Sequence, residues 1–234
     1  MVQTGRPIAG IDVGILILET GHKLVVGNVQ NALSFGFPVA YEVVRGVKIA
    51  DLMRGAPECL PPILEAAERL QRLGVKAIFG ACGSFVHFQR EVAAKVEVPV
   101  FLSVMLYVPL ILRCLPADQK LAIVFSRAKA FTPMVKDQCG IDSDERLHIV
   151  EASQLDSFRP ICDQLGELDD DYLRREMTEL ARRETASQPN IGGWLLQCSE
   201  LPPYSMALKQ VTGRPVFDMT WAIKHLAASV SGAG

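Results

Sequence analysis

Residues 76–85 read KAIFGACGSF, and residues 192–201 read GGWLLQCSEL. Each is an apolar run that ends at a cysteine, Cys82 or Cys198. Each is followed, at the same interval, by a Pro-Val-Phe tripeptide, Pro99-Val100-Phe101 and Pro215-Val216-Phe217. A stretch of helical character separates cysteine from tripeptide in both copies. The repeated frame predicts two structural halves of the same design, each presenting one thiol at the end of a strand.

Working outward, short apolar runs alternate with longer amphipathic stretches along the whole chain, which is the pattern of βα units and a parallel sheet. The strand candidates are 14–18, 39–44, 77–80, 98–104, 120–125, 147–150, 193–197 and 215–217. They are rich in Val, Ile, Leu and Phe, as strands covered on both faces are. Helices are expected over 61–73, which opens on two prolines and stops at Gly74, and over 85–96, 106–115, 132–138, 170–186 and 219–228. The predicted fold class is α/β, with two pseudo-symmetric lobes. Each lobe is a parallel four-stranded sheet flanked by helices, and the active site lies in the cleft between them. Residues 1–105 are assigned to the first lobe, with the segment 218–234 packing back on it, and residues 106–217 to the second. The segment 21–37 is a long connection with little periodicity, of the kind that often covers a binding site.

Composition narrows the function classes. The chain has 234 residues, 49% hydrophobic and 21% charged, with a net charge of −2. Its basic residues are interleaved with acidic ones, including those around Arg174-Arg175 and Arg182-Arg183, so no nucleic-acid partner is expected. Arg6 precedes an apolar run too short for a secretory signal, and no run is long enough for a membrane span. A cytoplasmic protein without a membrane partner is therefore expected. The 6 cysteines show no CxxC spacing, and the 4 histidines (His22, His87, His148 and His225) are scattered singly. Reduced thiols and no metal site are expected.

In open parallel sheets, ligands bind beyond the carboxyl ends of the strands. Cys82 and Cys198 occupy that position, where backbone N–H groups can hold a carboxylate and depress a thiol pKa. They are the catalytic candidates. Gly83, Ser84, Ser199 and Glu200 follow them directly. Ser126 ends the first strand of the second lobe, Thr20 follows Glu19 at the end of the matching strand of the first, and Asn28 lies in the long loop. These residues are the substrate-binding candidates. Cys59, Cys114, Cys139 and Cys162 are read as small apolar filler, and His87 as a partly exposed helix residue.

At GACGSF (80–85) and QCSELPP (197–203) the sequence resembles the aspartate/glutamate racemase superfamily, which includes amino-acid and hydantoin racemases, maleate isomerase and arylmalonate decarboxylase. The resemblance spans the chain through strand order and both cysteine loops. Family members commonly show Gly-Cys-Thr-Glu at the second loop; here Gln197 and Ser199 flank the cysteine. Amino-acid racemases often place Asn before and Thr after the first cysteine, where this chain has Ala81 and Gly83. The resemblance implies that Cys82 and Cys198 form a paired acid and base, one removing a proton and the other returning one to the opposite face. The expected activity is therefore that of a cofactor-independent racemase or epimerase. It would act at a carbon next to a carboxylate or carbonyl of an aspartate/glutamate-type or hydantoin-type substrate. Alternatives are a maleate-type cis–trans isomerase with a nucleophilic cysteine and a non-catalytic small-molecule binding protein. The implied partner is a small carboxylate or related molecule, with a homodimer or higher homo-oligomer as the assembly. Either acid/base scheme requires one thiol pKa to be lowered.

Overall fold

The computed structural model describes residues 8–231. Arg6 and the ends of the two outer segments, residues 1–7 and 232–234, lie outside the described residues. The first sheet contains β1 (Val13–Ile17), β2 (Val39–Val43), β3 (Ala77–Gly80) and β4 (Val100–Phe101), in the order β2-β1-β3-β4. The second contains β5 (Lys120–Phe125), β6 (Leu147–Glu151), β7 (Ile191–Leu196) and β8 (Val216–Asp218), in the order β6-β5-β7-β8. Every pairing is parallel. The two orders are the same once the strands are counted from β1 and from β5, so the sequence repeat is a repeat of topology.

The helices are α1 (Ile49–Met53), α2 (Leu60–Leu73), α3 (Gln89–Lys95), α4 (Val108–Cys114), α5 (Pro133–Cys139), α6 (Arg159–Cys162), α7 (Asp170–Ser187), α8 (Ser205–Thr212) and α9 (Met219–Val230). In α2, Ile63, Ala66, Ala67 and Leu70 recur at helical spacing and are buried, while Gly74 ends the helix at φ 97°. This helix lies close on β1: a Cβ on Gly14 would stand 2.9 Å from Leu70 Cδ1. Two expected helices begin later than the pattern suggests. Residues Gly83–Phe88 and Val104–Tyr107 form 3₁₀ turns that lead into α3 and α4. Ser103 caps the second turn through the Met105 N–H, and Pro109 then occupies the first turn of α4, where its missing N–H costs nothing. Among the described residues no helix is long and apolar enough to cross a membrane.

The strands alternate between two apolar layers, as period-two side chains must. Val13, Ile15, Ala77 and Phe79 of the first sheet and Leu121, Ile123, Phe125 and Leu195 of the second belong to one core cluster. Their neighbours Leu16 and Ile78 face α2 in a second cluster, and Ala122, Val124, Trp194 and Leu196 face α7 in a third. The two sheets thus share an apolar layer between them, and each carries another on its outer face. Ile223 and Leu226 of α9 join the shared layer, and α9 packs against β1 and β3 as well as β8. Asp218 caps α9 by accepting the Trp221 N–H at 2.8 Å.

Ile123 lies in the central strand of the second sheet with no exposed surface. Ile123→Ala is expected to remove about 2–5 kcal/mol of stability, read from the midpoint of urea denaturation.

Candidate active site

In both sheets the chain first steps from the inner strand to one side and then crosses back to the other, so the switch points fall between β1 and β3 and between β5 and β7. Crevices open there beyond the carboxyl ends of the strands. Thr20 follows β1, Cys82 follows β3, Ser126 follows β5 and Cys198 follows β7. A single cavity of about 380 Å³ takes in all four, together with Gly83, Ser84, Ser199 and Glu200. Asn28 is placed differently from these: it stands behind Glu200 and donates from Nδ2 to the Glu200 carboxylate. Glu19 is exposed.

The two thiol loops touch at Gly83. A Cβ on Gly83 would come within 2.7 Å of the Gln197 backbone oxygen and would also run into the Gln197 side chain. Only a residue without a side chain lets the loop after β3 lie against the residue before Cys198. The turn that follows is held from behind by His87, whose Nδ1 is 2.9 Å from the Ser84 carbonyl oxygen. His87 is buried rather than partly exposed, and burial drives its pKa down against the opposing pull of that carbonyl.

Burial raises the pKa of both catalytic candidates. At Cys82 it is opposed by the Ser84 backbone N–H and hydroxyl, and it is reinforced by the charge of Glu200. At Cys198 the rise is larger: Glu200 again adds to it, the Glu200 backbone N–H opposes it, and Cys82 itself adds to it. The expectation of a depressed thiol pKa is therefore corrected. At both thiols desolvation outweighs the hydrogen bonds, which favours the thiol form.

Glu200 is buried and crowded with donors. Its Oε1 accepts the Ser199 hydroxyl at 3.1 Å, its Oε2 accepts from Asn28, and His22 Nε2 lies 3.0 Å from Oε2. His22 engages Glu200 both as a hydrogen-bonding neighbour and through charge. Burial works against the imidazolium, but Glu200 and Gln164 outweigh it, and the His22 pKa rises. The segment 21–37, expected to be an unpatterned loop, is pinned over the cavity by these contacts. Val29 N–H donates to Ser199 O, Gly21 N–H donates to Gln164 Oε1 at 2.9 Å, and Tyr41 Oη donates to Val29 O at 2.9 Å.

Several lining residues are not distinctive in the sequence. His22, Gln30, Arg127, Lys129, Phe158, Gln164 and Gln197 all face the cavity. Arg127 and Lys129 directly follow Ser126 and bring positive charge to the β5 loop, whose Ala128 N–H donates to Glu151 Oε2 at 2.9 Å. Cys162, read from sequence as filler, also lines the cavity and interacts with Arg127. It arrives there because the segment around α6 folds back over the end of β5, which strand-end reasoning does not anticipate. Among the described residues no group of three or more His, Cys, Asp and Glu side chains is placed to hold a metal ion.

With this geometry in place, comparisons with known proteins sharpen the chemistry. No protein-family model matches the chain. It is 30% identical over 213 residues to dimethylsulfoniopropionate lyase of Durusdinium sp. clade D, covering 88% of this chain and 70% of that protein. It is 28% identical over 227 residues to dimethylsulfoniopropionate lyase 3 of Emiliania huxleyi, covering 93% of this chain but only 59% of the relative's length. Among solved structures, it superposes on arylmalonate decarboxylase with a TM-score of 0.56 at 16% identity, covering 95% and 93% of the two chains. It superposes on aspartate racemase of Picrophilus torridus with a TM-score of 0.56 at 16% identity, covering 94% of each. The structural likeness is one of fold. The relatives close in sequence are named lyases, which overturns the expectation of a racemase, epimerase or other isomerase.

Replacing Gly83 by alanine is expected to push the two thiol loops apart and to lower stability by about 1–3 kcal/mol, as overpacking does. Thermal unfolding of the variant measures this, and an unchanged Tm would show that the loops have room to spare.

Proposed function

We propose, for a chain that belongs to the dimethylsulfoniopropionate lyase family, that its two-thiol cavity cleaves a β-sulfonio carboxylate by elimination. Its fold is that of the aspartate/glutamate racemase superfamily. The observation that carries the proposal is that Cys82 and Cys198 face one cavity with a cationic β5 loop beside them. A dimethylsulfoniopropionate molecule carries a carboxylate, two methylenes and a dimethylsulfonium group. Removing a proton from the carbon next to the carboxylate lets that electron pair form a carbon–carbon double bond. The bond from the β carbon to sulfur breaks, its electrons leave with sulfur as dimethyl sulfide, and acrylate remains. One base suffices, because no proton is returned to carbon.

Cys82 is the base in this scheme. Its thiolate is supported by both the N–H and the hydroxyl of Ser84, whereas Cys198 has one backbone donor. Cys198 remains a thiol and donates to the substrate carboxylate as negative charge builds there. Ser126 and Arg127 hold that carboxylate from the β5 loop, with Thr20, fixed by the Gln30 amide at 3.4 Å, across the cavity. After elimination the proton rests on Cys82 and passes to solvent.

Incubation with dimethylsulfoniopropionate is expected to release dimethyl sulfide into the headspace and acrylate into solution in equal amounts. Cys82→Ala should lower kcat/KM by on the order of a hundred- to ten-thousand-fold. A larger loss in Cys198→Ala than in Cys82→Ala would transfer the base role to Cys198, and absence of both products with wild-type protein would remove the proposal.

Because the base must lose a proton from an elevated pKa, kcat/KM should rise with pH through neutrality and into the alkaline range. Ser84→Ala removes hydrogen bonding to the thiolate, so the alkaline limb should move to higher pH and the rate at neutral pH should fall by about tenfold. A limb that stays in place would mean that Ser84 does not tune the base.

A further inference from the structure

Glu200 neither takes nor gives the transferred proton in this scheme, yet its carboxylate is buried at the cavity wall beside both thiols. Each carboxylate oxygen already accepts a hydrogen bond, one from Ser199 and one from Asn28, and His22 crowds the second. Buried among these partners, the carboxylate presents little surface on which a ligand's N–H could seat. Its charge nevertheless reaches the cavity, since it acts on both Cys82 and Cys198. What Glu200 offers a ligand is chiefly its charge, set behind the cavity wall.

A negative charge that is buried and already partnered suits one kind of cation. An ammonium of the lysine type brings N–H donors and would leave them unpaired here. A trialkyl sulfonium or a quaternary ammonium has no such donors. Its charge is spread over carbon-bound hydrogens, and it needs apolar surface together with a nearby negative charge. The cavity supplies that surface through Leu18, Met53, Phe158 and Ile161. Arg127 and Lys129 supply the opposite sign from the β5 loop. One cavity therefore holds complementary charges for both ends of a zwitterion.

We infer that Glu200 is the counter-ion for an alkylated cationic leaving group and makes the site selective for β-onio carboxylates over neutral and dicarboxylate analogues. The inference rests on the lyase reading for its choice of leaving group. Elimination converts the cation to a neutral sulfide, so its attraction to Glu200 fades on the way to the transition state. Glu200 therefore contributes to binding rather than to the rate of the bond-breaking step. Asn28 and Ser199 are its positioning residues, holding the carboxylate against the cavity wall.

The test uses two ligands of the same shape: β-trimethylammonio propanoate, whose amine is a far poorer leaving group than a sulfide, and its tert-butyl isostere, in which carbon replaces nitrogen. Calorimetry on the wild-type protein should show the cation bound at least about tenfold more tightly. Glu200→Gln should abolish that preference by weakening the cation while leaving the isostere within about twofold. His22→Gln removes the imidazole that competes for Glu200 and should keep or enlarge the preference. With dimethylsulfoniopropionate, Glu200→Gln should raise KM and leave kcat unchanged or higher. Equal binding of the two ligands by wild-type protein, or equal weakening of both in Glu200→Gln, would overturn the inference. If no sulfide is released but the cation preference is present and depends on Glu200, the counter-ion stands and the lyase reading falls.

Discussion

The close approach of Gly83 to Gln197 is the constraint on which the site depends. It brings the end of β3 against the end of β7, so the thiols that follow those strands share a cavity rather than facing solvent from two sheets. Everything else at the site serves this closure. His87 braces the Ser84 turn from inside the first lobe, and the first-lobe loop is fastened across the gap through Asn28, Val29 and Gly21. The shared cavity has an electrostatic consequence. Both thiols are half-buried, and the same desolvation that suppresses their ionisation makes every neighbouring charge act more strongly. A site built this way favours a substrate that brings its own opposite charges.

The architecture was legible in the sequence because it is written twice. Two apolar runs ending in cysteine, two Pro-Val-Phe strands and the alternation of short apolar with longer amphipathic segments required two parallel sheets of one design. The details that sequence missed have local causes. A 3₁₀ turn and an α-helix share the same apolar spacing over a single turn, so the breaks before Gln89 and Val108 carried no signal. The segment 21–37 lacks periodicity because it is ordered by polar contacts to a distant part of the chain, and periodicity reports only on burial against a flat face.

The site was legible in part. Strand-end position picked out Cys82, Cys198, Ser84, Ser126, Ser199, Thr20 and Glu200, because topology alone sends strand ends to one edge. It was silent on His22, Gln164 and Cys162, which reach the cavity by long-range folding of irregular segments. It also misjudged the thiol pKa values, since proximity to backbone N–H groups is visible in sequence and burial is not. The reaction class was misjudged for a different reason. A cysteine pair on this fold speaks to removing a proton beside a carboxylate, a step common to racemisation and elimination. What separates them is the fate of the electron pair, and that depends on whether the substrate carries a leaving group.

The apolar layer shared by the two sheets bears on how molecules enter and leave. Opening the cleft as a hinge would pull Ile15 and Phe79 away from Ile123 and Leu195 and expose them all to water. Every ångström of such opening is resisted by surface tension at the centre of the molecule, and α9, laid across β1, β3 and β8, works as a strap against it. The width of the cleft is thus a property of the core. The segments 19–31 and 156–168 that border it meet at the Gly21–Gln164 hydrogen bond, and Val29 ties the first into the shared layer as Phe158 ties the second into the layer facing α7, so the rim is bound to the interior just as the cleft is.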